Sequence, residues 1–152
     1  MQELKDRIVK EGKVLPGNII KVDGFLNHRI DTELMDHIAE EFGKHFNMDE
    51  VTMILTAEAS GIALSAIVAH HFHKPMIFAK KAKSDNIEGG LYQSDIFSYT
   101  YKKKVTLLVS KEWLSADDKV LIIDDFMANG EAMRGLCDIC LLYTSPSPRD
   151  GL

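Results

Sequence analysis

An unbroken aliphatic run that ends in two acids constrains the fold of this chain more than any other feature. Residues Val120 to Ile123 are all aliphatic, and Asp124 and Asp125 follow them directly. Such a run is typical of a strand that is buried on both faces, as in a parallel sheet. The two carboxylates then lie at the carboxyl end of the strand, where open α/β sheets bind their ligands. The sequence therefore predicts an α/β domain with a ligand site at this edge.

A short loop and a helix follow the two acids. The loop contains Ala128, Asn129 and Gly130, and a helical pattern begins at Glu131. Small residues let a ligand approach the backbone, and the first turn of a helix offers unpaired N–H groups and the positive end of its dipole. This combination predicts a phosphate-binding loop with two carboxylates beside it.

The rest of the chain alternates between helical and extended patterns, which predicts one α/β domain with a mostly parallel sheet. The predicted helices cover residues 3–10, 32–45, 62–71 and 131–142, the predicted strands 51–56, 75–80 and 120–123, and a hairpin pairs 96–101 with 105–110. A second strand–loop–helix unit carries Ser60 and Gly61 at the helix entry, where backbone N–H groups can also meet an anion. The polar segment from Lys81 to Asp95 is interpreted as a surface loop or a mobile lid.

Composition narrows the class of protein. The chain has 152 residues, 45% of them hydrophobic, which suffices for one core. A net charge of -5 argues against a general nucleic-acid binder. The charged N-terminus lacks a signal-peptide core, and no apolar run approaches the length of a membrane span. We therefore expect a cytoplasmic protein with neither nucleic acid nor membrane as its partner.

Two groups of potential metal ligands are better explained without a metal. Cys137 and Cys140 lie late in a predicted helix and have no second pair of ligands, so we interpret them as small, semi-buried apolar residues. His70, His71 and His73 lie at the end of another predicted helix, where histidines suit the dipole. No protein metal site is predicted.

The stretch from the aliphatic run to Ala132 resembles the phosphoribosyl-diphosphate motif of the type I phosphoribosyltransferases. The common form carries Thr-Gly in the phosphate loop, whereas this chain has Asn129-Gly130. The Ala-Asn-Gly variant is similar to that of the bacterial xanthine phosphoribosyltransferases. The resemblance extends over roughly residues 1–140, including segments around Asn27, Ser60 and Lys81. It implies the type I fold: a mostly parallel central sheet flanked by helices, with an N-terminal hood and a β-hairpin lid.

The resemblance also implies an activity, in which the 5-phosphoribosyl group of 5-phospho-α-D-ribose 1-diphosphate (PRPP) is transferred to xanthine. The products are xanthosine 5'-monophosphate and diphosphate, as in purine salvage. Mg²⁺ is expected to bind mainly through the diphosphate of the substrate, and a homodimer is implied. The implied roles are catalytic for Asp124 and Asp125, PRPP-binding for Ala128, Asn129, Gly130, Glu131, Ala132, Ser60, Gly61 and Lys81, and xanthine-binding for Ile20 and Asn27.

Three other interpretations remain open. The base could be guanine, hypoxanthine or adenine, since the hood residues favour xanthine only by resemblance. A PRPP-sensing regulator uses the same fold and loop without the reaction, although it normally adds a DNA-binding domain or a basic face. The third is an inactive α/β fragment.

The last twelve residues depart from the family pattern. Residues 141–152 are rich in Ser and Pro and offer no further strand, and the family's base-contacting lysine after the last helix has no counterpart here. We therefore expect residues 1–140 to form an incomplete domain and residues 141–152 an atypical tail that is non-native or disordered. On this interpretation the activity of the chain as written is uncertain.

Overall fold

The computed structural model describes residues 1–17, 19–82, 90–98 and 103–144. Its helices are α1 (Gln2–Glu11), α2 (Thr32–His45), α3 (Gly61–His71) and α4 (Glu131–Thr144). Its strands are β1 (Lys13–Leu15), β2 (Ile19–Lys21), β3 (Met53–Ala57), β4 (Met76–Ala82), β5 (Leu91–Ser98), β6 (Lys103–Ser110) and β7 (Val120–Ile122). Within these ranges no helix is both long and apolar enough to cross a membrane.

The central sheet is mixed and has the strand order β5-β6-β4-β3-β7. Strand β3 lies in the middle of the parallel half, paired with β4 on one side and β7 on the other. Strand β6 runs antiparallel to both β4 and β5. The predicted α/β fold is confirmed, but the sheet is less parallel than expected. The reason is that the predicted hairpin joins this sheet, because its strand β6 pairs with β4.

Strand β3 is buried on both faces. Ile54 packs into a core with Phe25, Leu34 and Val68 on the side of α2 and α3. The next residue, Leu55, points into a second core on the other side, under α4. Strand β7 alternates in the same way, which is why its residues read as a continuous aliphatic run.

Local signals placed some element ends correctly and others not. Helix α2 has the predicted bounds, and Asp31 caps its N-terminus, since Asp31 Oδ1 accepts a hydrogen bond from Leu34 N at 3.1 Å. The polar segment predicted to extend to Asp95 instead ends earlier, since β5 begins at Leu91 and pairs with β6 from there. The polar side chains of Ser94 and Asp95 fit within the strand because Asp138 and Thr106 satisfy them.

The N-terminal region covers the sheet edge beside α2. Strands β1 and β2 form a two-stranded antiparallel ribbon. A π-helical turn, Asp23–Asn27, follows β2. It buries Phe25 and Leu26 in the core and leaves Asn27 at the rim. We call the ribbon and the π-helical turn together the hood. The predicted tail overlaps α4 as far as Thr144, and residues 145–152 lie outside the described ranges.

Helix α4 packs closely on the hairpin at Gly135, which gives a stability prediction. A Cβ at Gly135 would lie 2.5 Å from Ile96 Cγ2 and 2.9 Å from Leu107 Cδ1. Gly135→Ala should therefore destabilise the protein, because overpacking costs about 1–3 kcal/mol and alanine gains only about 1 kcal/mol in helix propensity. Urea unfolding measures the difference.

Gly24→Ala is the matched control, because a Cβ there meets nothing within 4 Å. Equal stability of the two variants would contradict the close packing of α4 on the hairpin.

Candidate active site

The carboxylate of Asp125 joins three segments that are far apart in sequence. One oxygen accepts a hydrogen bond from Asn27 Nδ2 of the hood at 3.0 Å. The other accepts one from Ser60 Oγ, at the start of α3, at 2.8 Å. Three residues that the sequence assigned to one site therefore meet at the carboxyl edge of the sheet.

The carboxyl of Asp124 has a shifted pKa at this site. Burial raises the pKa of its carboxyl to about 6, with a further contribution from the like charge of Asp125 and an opposing one from Lys81. Its Oδ1 accepts a hydrogen bond from the backbone N–H of Asp125 at 3.0 Å. At neutral pH this site therefore holds an ionised carboxylate that is poorly hydrated.

Gly61 lets the acid approach α3. A Cβ at this position would lie 2.6 Å from Asp124 Oδ1 and would also overlap Thr56 Oγ1. Gly61 is buried beneath the acid rather than open to the cavity. Its predicted contact with a ligand thus stays a prediction, whereas its packing against Asp124 is a structural observation.

An open cavity of about 210 Å³ lies beside the two acids. Its walls include the predicted phosphate loop, the two acids, Ser60 and Lys81, together with Ile96, Phe97 and Val105 of the hairpin. Gly130 turns the loop into α4 with a φ of +75°, a conformation that glycine adopts without strain. The first turn of α4 then directs its free N–H groups toward this end of the cavity.

The loop after β3 is tied to β4. Glu58 N donates to Ala79 O at 3.0 Å, and Lys81 N donates to Glu58 Oε1 at 2.6 Å. The peptide bond between Glu58 and Ala59 is cis. The two hydrogen bonds hold Ser60 and Lys81 at the same edge of the sheet. The lysine cation and the serine hydroxyl therefore face one cavity.

Not every predicted residue lines this cavity. Ile20 lies on β2 with 41% of its surface exposed and is absent from the cavity wall, and the amide of Asn27 is engaged by Asp125. Sequence reasoning did not identify Phe97 or Val105 as cavity residues. The alternation of β5 and β6 could have indicated which of their side chains share a face.

Potential metal ligands are dispersed. Across the described ranges, no group of three or more His, Cys, Asp or Glu side chains is placed to hold a metal ion. Cys137 is exposed and Cys140 is half-buried. His71 lies 2.7 Å from Asp36, which links α3 to α2.

Known proteins resemble this chain over most of its length. The family profile described as a phosphoribosyl transferase domain matches residues 25–144. A xanthine phosphoribosyltransferase of Lachnoclostridium phytofermentans is 52% identical over 141 residues, which cover 93% of this chain and 73% of that protein. A xanthine phosphoribosyltransferase of Bifidobacterium animalis subsp. lactis is 49% identical over 141 residues, which cover 92% of this chain and 73% of that protein.

Solved structures share the fold at lower identity. The APRTase of Giardia lamblia complexed with 9-deazaadenine superposes with a TM-score of 0.74 at 22% identity, covering 92% of this chain and 77% of that one. The adenine phosphoribosyltransferase of Saccharomyces cerevisiae superposes with a TM-score of 0.73 at 14% identity, covering 95% of this chain and 84% of that one. At these identities the likeness concerns the fold alone.

The raised pKa of Asp124 predicts a gain in stability when its charge is removed. A folded-state pKa of about 6 lies above the unfolded value, so the carboxyl stabilises the fold when protonated and loses this contribution as the pH rises toward and through 6. Asp124→Asn should raise the Tm near pH 7 by roughly 2–6 °C, or about 1–2 kcal/mol after allowance for partial exposure.

The difference should shrink as the pH is lowered toward about 5, because the unaltered side chain then becomes neutral as well. Asp117→Asn, at an exposed turn, is the control for loss of one negative charge. A lower Tm for Asp124→Asn near neutral pH would contradict the electrostatic cost assigned to this carboxylate.

Proposed function

Because this chain belongs to the phosphoribosyltransferase family, we propose that it transfers the 5-phosphoribosyl group of PRPP to xanthine. The products are xanthosine 5'-monophosphate and diphosphate. The observation that carries the proposal is the cavity in which two acids, a glycine-turned loop at a helix N-terminus and a lysine converge. The identity of about half to proteins named xanthine phosphoribosyltransferase supports the choice of base.

The transfer needs little covalent chemistry from the side chains of the protein. The bond between ribosyl C1 and the diphosphate oxygen breaks, a bond from C1 to a base nitrogen forms, and the base loses a proton. Positive charge develops on the ribosyl ring as the diphosphate departs. The carboxylates of Asp124 and Asp125 stabilise this charge, and the poorly hydrated position of Asp124 strengthens the effect.

The 5-phosphate binds at the backbone N–H groups of residues 128–132. Gly130 brings the chain into α4 there, and the dipole of the helix favours the dianion. Anchoring the phosphate fixes the ribose between loop and acids, so that positioning supplies part of the rate enhancement.

The diphosphate lies toward Ser60, Gly61 and Lys81. Lys81 is exposed at the cavity, and Ser60 begins α3. Phosphoribosyltransferases generally use Mg²⁺ with PRPP. Among the described residues no group of three or more possible ligand side chains occurs, so Asp124 and Asp125 would be the side chains that meet a Mg²⁺ ion bound mainly by the phosphates of PRPP. Asp124 and Asp125 would orient the complex of PRPP and Mg²⁺, and the ion would supply positive charge that neutralises the departing diphosphate.

The base enters under the hood. Asn27 supplies an amide that can both donate and accept hydrogen bonds, and its present partner Asp125 places it at the rim of the donor site. A contact of Ile20 with the base is part of the proposal, although Ile20 does not line the cavity. A cytoplasmic homodimer and an atypical segment from residue 141 remain proposals that rest on the resemblance.

A turnover assay with each purine tests the proposal. The purified chain, with PRPP and Mg²⁺, should form xanthosine 5'-monophosphate at least about tenfold faster than any nucleotide of guanine, hypoxanthine or adenine, which corresponds to about 1.4 kcal/mol of discrimination. Liquid chromatography of the products measures each rate. Faster turnover of another purine would overturn the choice of base.

Asp125→Asn is the site variant in this assay. It should lower kcat by roughly a hundredfold, because it removes a negative charge that stabilises the positive charge on the reacting ribosyl ring. Asp117→Asn should leave kcat unchanged. PRPP binding without turnover of any purine would favour a sensing regulator. A chimera that carries the C-terminal segment of the Lachnoclostridium phytofermentans relative separates that outcome from an effect of residues 141–152.

A further inference from the structure

Glu131 places a carboxylate in the loop that is proposed to bind a phosphate dianion. Like charges at such close range repel, and the first turn of α4 has few atoms to shield them. An acid at the start of a helix suits the helix dipole, but here it competes with the phosphate for the same positive potential. The position of its side chain therefore decides whether the loop can bind an anion.

Both oxygens of this carboxylate accept hydrogen bonds, and one of them binds the hairpin. Glu131 Oε2 accepts hydrogen bonds from Phe97 N and from Arg134 Nη2, each at 3.1 Å, and Oε1 accepts a long one from Arg134 Nε at 3.4 Å. The hydrogen bond from the Arg134 guanidinium holds the pKa of Glu131 below its usual value, and the hydrogen bond from Phe97 N makes a smaller contribution in the same direction. The acid thus stays ionised, and the Arg134 guanidinium compensates its charge.

Phe97 belongs to β5, which is the edge strand of the sheet. The N–H of Phe97 and the C=O of Asp95 lie two residues apart, so they point to the same side of the strand. Arg134 Nη2 donates to Asp95 O at 2.9 Å, while Glu131 accepts from Phe97 N. The two side chains offer β5 the donor and acceptor that a neighbouring strand would offer, and they cover its edge.

Asp138 completes this arrangement one turn along α4. Its Oδ2 accepts from Arg134 Nη1 at 2.8 Å and from the buried Ser94 hydroxyl at 3.0 Å. Arg134 is thus held between two carboxylates of its own helix, at i−3 and i+4, in the geometry that favours ion pairs on a helix. Its orientation is set before any ligand arrives.

We propose that Glu131 and Arg134 form a positioning clamp, which docks the phosphate loop on the edge of β5 and screens the carboxylate from the 5-phosphate. The phosphate as ligand rests on the proposed function. The clamp also sets one cavity wall, because Ile96 and Phe97 of β5 line the cavity that the loop closes. The backbone N–H of Glu131 then binds the phosphate of PRPP, and its side chain holds the loop on β5.

Three variants test the clamp through the dissociation constant of ribose 5-phosphate, measured by calorimetry at low and high salt. Arg134→Gln leaves the carboxylate unscreened, and should weaken binding at least about tenfold at low salt and less at high salt, because screening acts on exposed charges. Glu131→Gln keeps an acceptor for Phe97 N and should bind at least as tightly as the unaltered chain. The double variant has the net charge of the unaltered chain and should restore affinity to within about threefold, well inside the tenfold loss.

Lys5→Gln, which removes one positive charge from exposed α1, is the control for net charge, and circular dichroism checks that each variant is folded. Weaker binding by Glu131→Gln, or a double variant as weak as Arg134→Gln, would overturn the clamp, since the side chains would then contact the phosphate directly. Failure of the unaltered chain to bind ribose 5-phosphate would instead overturn the proposed function, and the screening role with it.

Discussion

The hydrogen bonds that converge on Asp125 connect the parts of this structure that have to act together. Asn27 comes from the hood, Ser60 from the loop after β3, and Asp125 from the end of the aliphatic run. Each segment is fixed by its own core packing, with Phe25 and Leu26 anchoring the hood. A hydrogen bond to a charged acceptor is stronger than a neutral one, so this carboxylate orders the rim before a ligand binds. The proposed donor and base sites are consequently joined through one side chain.

Asp124 and Glu131, two acids at the same cavity, differ in how far their charge is compensated. The acid whose pKa is raised to about 6, Asp124, faces the cavity, whereas Glu131 beside it is neutralised by Arg134. The pKa of one acid is therefore raised and that of the other lowered, although both line the same cavity. Burial without a full set of partners costs stability, and the proposed reaction recovers that cost when positive charge develops on the substrate.

Much of the fold followed from local patterns, while the contacts across the site did not. Helix α2 ends where predicted, because its cap and apolar spacing are local signals. The edge with Asp124 and the loop at Gly130 also followed from one aliphatic run and its small residues. Asn27, by contrast, entered only through family resemblance, because its partner lies 98 positions away. Arg134 was missed because its role depends on how α4 lies on β5, which no local spacing specifies.

The central claim is that backbone N–H groups of residues 128–132 bind a sugar phosphate beside the two acids. Amide chemical shifts of the uniformly ¹⁵N-labelled protein, 17.1 kDa in mass, can follow this site residue by residue during titration with ribose 5-phosphate. The account predicts saturable shifts at Gly130 and its neighbours, and no response at the separate surface pocket around Phe46 and Phe72. Shifts at that second pocket with none in the loop would contradict the account.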